Sequence, residues 1–375
     1  MNRTIFTGAA IFDGVRMLHG HGLVIEAGVV LGVLPEADLP DGPRVVLAGG
    51  VLAPGLNDLQ VNGGDGIMLD GAADVARLTR ICAAHARLGA VGILPTLITD
   101  TADATRGVIA AGIAAAEAGV PGFLGLHLEG PHLDPRRPGA HDPGLIRPMD
   151  EADVVRLCDA VAQLPALMVT LAPASASLSQ IERLARAGVV VSLGHAECTY
   201  DQALAAVRAG ARCATHLFNA MSQLGNREPG LVGAVLGGGL HAGLIADGLH
   251  VHRATLRVAM AARGDGLFLV SDAMAVAGTD LDRFSLGDRQ ILRRDGRLTL
   301  ADGTLAGADL SLPQAVAALV GLGIAPERAL AMAGRIPANL IGSSAGRLAP
   351  GLPADLVLFD AEWTLAQVWR GGTKV

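Results

Sequence analysis

The pattern of hydrophobic and polar positions differs between the ends of the chain and its middle. At both ends, short runs rich in Val, Ile and Leu are separated by Gly and Pro, as in TIFTGAAIFDG, HGLVIEAGVVLGVL and ADLVLFD. Such runs are typical of short β-strands joined by turns. Because the two ends resemble each other, we predict that residues 1–52 and 346–375 together form one small β domain.

The middle of the chain, residues 53–345, alternates strand-like and helix-like stretches. Many of its short apolar runs are followed by alanine-rich amphipathic stretches, and there are eight such runs: LNDLQVN, VGILPTLIT, GFLGLHLEG, ALMVTLAP, VVVSLGHA, CATHLFN, HAGLIADG and LFLVSDA. Repeated strand–helix alternation implies a parallel sheet, since each crossover needs a helix. Eight units favour a closed (β/α)8 barrel. The alternative is an open doubly wound sheet, although no GxGxxG motif opens the first unit.

Composition and charge narrow the class of partner. Hydrophobic residues make up 51% of the chain and aromatic residues only 3%, so a large core is expected to be built from Ala, Val, Leu and Gly. The net charge is −7 and Lys and Arg form no cluster, which argues against a nucleic-acid partner or an anionic membrane. A phosphorylated small molecule remains compatible, because one phosphate needs only a few local donors.

The cysteines and the apolar segments predict a cytoplasmic protein. The four cysteines form no CxxC pair, and a chain of this size does not depend on disulfides for its stability. The amino terminus does not have the pattern of a signal peptide. The most apolar stretch, Leu231 to Ala246, is shorter than the roughly 20 residues that a membrane-spanning helix needs.

Polar residues with catalytic potential follow four of the predicted strands. Glu129 ends the third run, His195 the fifth, His216 the sixth and Asp272 the eighth. A single His or Asp at such a position is often a packing residue or a helix cap. The carboxyl ends of barrel strands, however, share one face, which carries the active site in this architecture. Together the four residues therefore predict a metal-dependent reactive centre.

The residue types suggest the metal and its use. Two imidazoles and one carboxylate leave a coordination position open, as in catalytic zinc sites, although Fe²⁺, Co²⁺ or Mn²⁺ are also possible. A bound metal lowers the pKa of water. Asp272 would accept a proton from that water and return it to a leaving group.

Several motifs, in this order, resemble the N-acetylglucosamine-6-phosphate deacetylase family of the amidohydrolase superfamily: LHLEGPHLDPRRPGAHDP, VSLGHAECTYDQA, ATHLFNAMSQLGNREPGLVGA, IADGLHVH and VSDAMAVAG. The resemblance covers nearly the whole chain, and THLFNAM followed by GNREPG is specific. It implies a barrel plus a β-sandwich formed by both termini. The implied reaction is metal-dependent cleavage of an acetamide to acetate and D-glucosamine 6-phosphate, in amino-sugar catabolism or cell-wall recycling.

The resemblance also implies roles for individual residues. Glu129, His195 and His216 match metal ligands, and Asp272 matches the acid/base. The positions that match substrate contacts are Ala140, His141, Asn219, Ala220, Arg227, Asp247, His250, Leu305, Ala306 and Gly307. His141 would polarise the amide carbonyl together with the metal. Arg227, reaching in from a neighbouring subunit, and His250 would bind the phosphate, which implies a homodimer.

Two departures from related sequences stand out. Many barrel amidohydrolases carry HxH after the first strand as ligands of a second metal, whereas this chain has Gln60 and Asn62. Amides are poor ligands beside imidazole, so we predict one strong metal site and a second that is weak or absent. The second departure is at Glu197, after LGHA, and Ala174, after TLAP, which also differ from the commonest family residues and to which we assign no role.

Three alternatives stay open at this point. The substrate could be N-acetylgalactosamine 6-phosphate, which differs at one hydroxyl, or the enzyme could hydrolyse another N-acyl compound. The barrel could also serve as a binding or scaffolding protein, as in relatives that have lost metal ligands. The complete set of Glu129, His195, His216 and Asp272 argues against this last possibility.

Overall fold

The computed structural model describes residues 3–375. The chain begins with seven short strands and a single 3-10 turn at Glu36–Asp38. The strands are β1 (Arg3–Thr7), β2 (Ala10–Phe12), β3 (Met17–Leu18), β4 (His21–Glu26), β5 (Val29–Pro35), β6 (Arg44–Val46) and β7 (Val51–Pro54).

The middle of the chain alternates strands and helices as predicted. Its parallel sheet and a small hairpin comprise β8 (Leu56–Val61), β9 (Gly63–Gly64), β10 (Ile67–Met68), β11 (Ala90–Ile98), β12 (Leu126–Glu129), β13 (Leu167–Leu171), β14 (Val190–Leu193), β15 (Cys213–Ala214), β16 (His241–Leu244) and β17 (Leu267–Leu269). The helices are α1 (Val75–Arg87), α2 (Ala102–Glu117), α3 (Glu151–Val161), α4 (Leu178–Ala187), α5 (Tyr200–Arg208), α6 (Gly230–Leu236), α7 (Arg253–Ala262), α8 (Leu312–Gly321), α9 (Pro326–Ala333) and α10 (Arg335–Leu340).

Eight of these strands form the predicted barrel. They are hydrogen-bonded in the order β8-β11-β12-β13-β14-β15-β16-β17, and each overlaps one of the eight predicted runs. The first and last strands meet where the Asp272 N–H donates to the Gln60 carbonyl at 3.0 Å and the Asn62 N–H donates to the Ala273 carbonyl at 2.8 Å. These bonds close the sheet on itself, so the (β/α)8 barrel is confirmed and the open doubly wound sheet is wrong.

Local sequence signals begin and end the helices. In α4, the Ser177 hydroxyl accepts from the Gln180 N–H and the Gln180 side chain accepts from the Ser177 N–H, which is a capping box. Gly188 ends the same helix at a φ of 102°, a conformation that glycine adopts without strain. Ile181 and Leu184 on its inner face are buried in the main hydrophobic core between helices and sheet. The helices therefore cover the outside of the barrel.

The interior of the barrel changes from apolar to polar along its axis. An apolar cluster of Leu59, Leu94, Met168 and Phe268 packs against Leu340 of α10. Closer to the carboxyl ends, His127 bridges two neighbouring strands: its Nε2 lies 2.8 Å from Thr170 Oγ1 and its Nδ1 lies 3.3 Å from Thr96 Oγ1. The carboxyl ends of the strands can consequently carry a polar site above a closed apolar base.

A four-stranded antiparallel sheet, which we did not predict, follows β17. Its strands are β18 (Arg283–Leu286), β19 (Arg289–Arg294), β20 (Arg297–Thr299) and β21 (Leu305–Ala308). Phe284, Ile291 and Leu298 form its core against Met274. The Arg289 guanidinium donates to the Ala140 carbonyl at 2.8 Å, which ties the sheet to the loop that carries His141. We call this sheet, residues 283–308, the inserted sheet.

The two ends of the chain form the predicted β-sandwich. The last strands are β22 (Leu356–Phe359), β23 (Leu365–Arg370) and β24 (Thr373–Lys374), and the two sheets have the orders β5-β4-β1-β6 and β24-β23-β22-β7-β2-β3. Phe6 of one sheet packs edge-to-face on Trp369 of the other, with ring centroids 5.3 Å apart. Strand β7 runs across the boundary we placed at residue 52. Within residues 3–375, no helix is both long enough and apolar enough to cross a membrane.

Candidate active site

Four predicted residues meet at the carboxyl-end face of the barrel. Glu129 ends β12, His195 follows β14, His216 follows β15 and Asp272 follows β17, and all four are buried. Three of them have positive φ angles, 44° at His195, 20° at His216 and 52° at Asp272. Each such conformation costs about 1–3 kcal/mol in a residue other than glycine, and this strain is typical of functional sites.

The side chains of Glu129, His195 and His216 converge on one point. Glu129 Oε1 lies 3.3 Å from His195 Nε2 and 3.0 Å from His216 Nε2, and the two Nε2 atoms are 3.0 Å apart. The His195 Nδ1–H donates to the Arg137 carbonyl at 2.9 Å, which leaves Nε2 with a lone pair for a ligand. Burial alone would raise the pKa of Glu129, but the two histidines lower that pKa well below its usual value. One carboxylate and two imidazoles make a donor set that fits a divalent zinc-like cation.

Glu129, His141 and His195 also present ligand atoms within 4.8 Å of one another. A hydrogen bond distinguishes this second set from the first. The Thr99 backbone N–H donates to His141 Nδ1 at 3.2 Å, and the Thr99 hydroxyl, 2.7 Å from the same nitrogen, can donate to it as well. Burial and the neighbouring His195 lower the pKa of His141 well below its usual value. A neutral His141 therefore carries its proton on Nε2, which lies 3.9 Å from Glu129 Oε2. In this state Nε2 donates a hydrogen bond and offers no lone pair to a metal.

Gln60 and Asn62 direct N–H groups at the carboxylates. The Thr215 hydroxyl donates to Gln60 Oε1 at 2.6 Å, so the Gln60 amide nitrogen faces Glu129 Oε1 at 3.1 Å and Asp272 Oδ1 at 3.2 Å. The Asn62 amide nitrogen donates to the same Asp272 oxygen at 2.7 Å. Because an amide N–H cannot bind a cation, this geometry agrees with the prediction of a weak or absent second metal, which stays a prediction.

Asp272 is prepared for proton transfer. Burial and the charge of Glu129 raise the pKa of Asp272 to about 6, which is close to neutral pH. Both amides bind its Oδ1, so among the side-chain hydrogen bonds of residues 3–375 none occupies Oδ2. A carboxyl group with such a pKa can accept and return a proton near physiological pH.

A cavity of about 250 Å³ opens above these four residues. The predicted contact residues that line it are Ala140, His141, Asn219, Ala220, His250, Leu305 and Gly307. Three predicted contacts lie elsewhere. Asp247 sits behind His250, Ala306 is buried in the core of the inserted sheet, and Arg227 is exposed on a loop outside the cavity lining.

His250 and Ala220 offer donors at the cavity wall. The Asp247 carboxylate accepts from His250 Nδ1 at 2.6 Å, which directs His250 Nε2 away from Asp247. Phe218 and Ala220 have φ angles of 79° and 48°, and no acceptor in residues 3–375 takes the Ala220 N–H. Backbone in such a conformation can present N–H groups to an anion.

Sequence reasoning missed an apolar wall and its supports. Ile98, Ile245, Met274 and Leu286 line the cavity, with Thr304 beside them. Ile98 lies next to Thr99, at the end of a run whose terminal residues we did not consider as site residues. Leu286 belongs to the inserted sheet, and the turn residues between its strands could have predicted that sheet from the sequence. Asp58, which binds the Ser271 N–H across the barrel seam, gave no signal in the sequence beyond its strand position.

Comparisons with known proteins place this geometry in context. Residues 51–374 match the model of the amidohydrolase family. The chain is 34% identical to an N-acetylgalactosamine-6-phosphate deacetylase from Shewanella sp. (strain ANA-3), over 98% of this chain and 95% of that protein. It is also 34% identical to the N-acetylglucosamine-6-phosphate deacetylase of Homo sapiens, over 99% of this chain and 95% of that protein.

Solved structures are similar along the whole chain. N-acetylglucosamine-6-phosphate deacetylase from Pasteurella multocida superposes with a TM-score of 0.95 at 32% identity, covering 100% of this chain and 99% of that one. A mutant of the Mycobacterium smegmatis enzyme, in complex with N-acetyl-D-glucosamine-6-phosphate, gives a TM-score of 0.92 at 32% identity, with coverage of 100% and 99%.

Proposed function

This chain belongs to the amidohydrolase family, and from that premise we propose that it hydrolyses the acetamide of N-acetyl-D-glucosamine 6-phosphate to acetate and D-glucosamine 6-phosphate. The observation that carries the proposal is the convergence of Glu129, His195 and His216 beside Asp272 in one cavity. Relatives with deacetylase names align over nearly the whole chain, which supports a shared reaction.

We propose that Glu129, His195 and His216 hold one divalent cation, with zinc as the best fit and Fe²⁺, Co²⁺ or Mn²⁺ as alternatives. Such a cation would supply Lewis-acid chemistry, polarising the amide carbonyl and lowering the pKa of water. His141 Nε2–H donates to the same carbonyl oxygen and stabilises the negative charge that develops there. Asp272 takes the proton from the attacking water and delivers it to the departing nitrogen.

We assign the phosphate to the end of the cavity near His250. His250 Nε2 and the Ala220 N–H are the donors that this chain offers there. Arg227 is exposed and lies outside the lining of its own chain's cavity, so it would reach a phosphate only in a neighbouring subunit. We therefore propose a homodimer in which Arg227 completes the partner's site. We place the enzyme in the cytoplasm, where its four free thiols would stay reduced.

N-acetyl-D-galactosamine 6-phosphate is a second candidate substrate. A relative with that substrate in its name is 34% identical over 98% of the chain, which is as similar as the human glucosamine enzyme. The two sugar phosphates have the same size and differ in the orientation of one hydroxyl group.

The test is acetate release by zinc-loaded enzyme from both sugar phosphates and from unphosphorylated N-acetylglucosamine. We expect turnover of a sugar phosphate and a much lower kcat/KM without the phosphate. The Asp272→Asn variant controls for contaminating deacetylases: it should keep its zinc and lose about 10²–10⁴-fold in kcat. A folded, metal-loaded enzyme that released no acetate from either sugar phosphate would refute the proposal.

A further inference from the structure

Glu197 and Arg137 connect the loop that carries His141 to the segment after β14 that carries His195. The loop runs from residue 130 to residue 150 without regular secondary structure and brings Gly139, Ala140 and His141 to the cavity. The Arg137 guanidinium forms a short ion pair with the Glu197 carboxylate. Loops of this length need tertiary anchors to hold one conformation.

The loop that carries His141 makes two further hydrogen bonds with His195, one to its backbone and one to its side chain. The Asp134 N–H donates to the His195 carbonyl at 2.9 Å, and His195 Nδ1–H donates to the Arg137 carbonyl at 2.9 Å. The Glu197 N–H completes the connection by donating to Asp134 Oδ2 at 3.2 Å. Two short segments of the chain are thus joined through backbone and side chain, with His195 between them.

The carbonyl of Arg137 decides what His195 can do. As an acceptor for Nδ1–H, it keeps the proton away from Nε2 and fixes the orientation of the ring toward Glu129. A histidine ligand whose second nitrogen has no fixed partner loses both its tautomer and its ring orientation. The position of the Arg137 backbone therefore bears directly on the metal affinity of the site.

We propose that the Glu197–Arg137 ion pair is a positioning device for the metal ligand His195, an inference that rests on the proposed metal site. The pair holds the Arg137 backbone in place, so that its carbonyl orients the imidazole before the metal arrives.

The expected effect is moderate because both side chains are partly exposed, 39% for Arg137 and 36% for Glu197. Exposed ion pairs contribute little free energy, so removing this one should weaken zinc binding by about fivefold. Loss of a direct hydrogen-bond partner of a ligand typically costs about 10–100-fold, and Glu197 acts one step further out.

The experiment measures the zinc dissociation constant by competition with a chromogenic chelator, in the absence of substrate. Glu197→Gln and Arg137→Ala should each raise it about fivefold, and the double variant should raise it no further, because both changes remove the same contact. The charge-swapped variant, Glu197→Arg with Arg137→Glu, should return it to within about twofold of the original value. Glu197→Gln is nearly isosteric, so this variant should fold normally and its zinc affinity can be measured.

Two control variants distinguish a failure of the positioning role from a failure of the proposed metal site. Glu151→Gln breaks another surface ion pair, with Arg183 at 2.7 Å, and should leave zinc affinity unchanged. His195→Ala should reduce zinc affinity far more than any of the Glu197 or Arg137 variants. If His195→Ala loses zinc while Glu197→Gln binds it normally, or if the charge swap restores nothing, the positioning role is wrong and the metal site stands. If His195→Ala keeps full zinc affinity, the ligand assignment itself fails.

Discussion

His141 and His195 are chemically identical side chains whose hydrogen-bond partners give them opposite roles. The Thr99 N–H donates to His141 Nδ1, whereas His195 Nδ1–H donates to a carbonyl. One imidazole thus presents a proton to the cavity and the other presents a lone pair. The sequence could place both histidines near the site. It could not show their hydrogen-bond partners, because Thr99 is far from His141 along the chain and Arg137 is far from His195.

The His141→Ala variant tests this distinction. If His141 donates to the carbonyl oxygen, the variant should bind zinc normally while kcat falls by about 10²–10³-fold, the usual effect of losing one oxyanion donor. If His141 instead belongs to the ligand set with Glu129 and His195, zinc content should fall with activity. Metal analysis of the purified variant beside steady-state kinetics decides between the two, and a zinc-depleted His141→Ala protein would contradict our assignment.

At the scale of elements, periodic patterns in the sequence predicted the strands of the barrel but not the inserted sheet. All eight barrel strands were predicted, because buried strands alternating with amphipathic helices have a regular signature. The inserted sheet was missed although Asp295 and Gly296, both at positive φ, form a two-residue turn between β19 and β20. Such a dipeptide is a hairpin signal. The flanking strands are short and rich in charged residues, so they do not show a clear alternation of apolar and polar positions.

We expect the inserted sheet to act on substrate binding through Arg289. This residue donates to the Ala140 carbonyl at 2.8 Å, and Leu286 of the same sheet lines the cavity. Arg289→Ala removes the connection, so the wall formed by Ala140 and Leu286 should loosen and KM should rise about three- to tenfold, with a smaller change in kcat. Arg297→Ala, an exposed arginine on β20, is the matched control. Equal KM values for both variants and the original enzyme would remove the sheet from substrate binding.

At the scale of the whole molecule, two seams join parts of the chain that are far apart in sequence. The β-sandwich joins the two ends of the chain, and the similarity of those ends made it predictable. The barrel seam joins β8 to the segment after β17, and the buried carboxylate of Asp58 accepts from the Ser271 N–H at 3.1 Å and the Gln60 N–H at 3.2 Å. The sequence places Asp58 in the first predicted strand, but its role at the seam depends on the closed barrel, which brings the Ser271 N–H beside it.

Asp58 makes the stability of the barrel depend on pH. Burial raises the pKa of Asp58 from 3.8 to about 7, so the folded state holds this proton more tightly than the unfolded chain does. The resulting stabilisation is complete below about pH 4 and is lost as the pH rises toward 7. In the Asp58→Asn variant the side chain is uncharged at every pH and still has an oxygen that can accept hydrogen bonds. The free energy of unfolding of this variant, relative to that of the original protein, should therefore rise by about 2–4 kcal/mol between pH 4 and pH 7.

Urea unfolding of the metal-free protein at several pH values measures this difference. Far-ultraviolet circular dichroism is the suitable signal, because both tryptophans, Trp363 and Trp369, lie in the carboxyl-terminal segment and would report on the sandwich. Glu362→Gln removes a charge from an exposed turn and should leave the stability curve almost unchanged. If Asp58→Asn and the original protein lose stability in parallel across this range, Asp58 is ionised in the folded barrel, and the hydrogen bonds from Gln60 and Ser271 outweigh its burial.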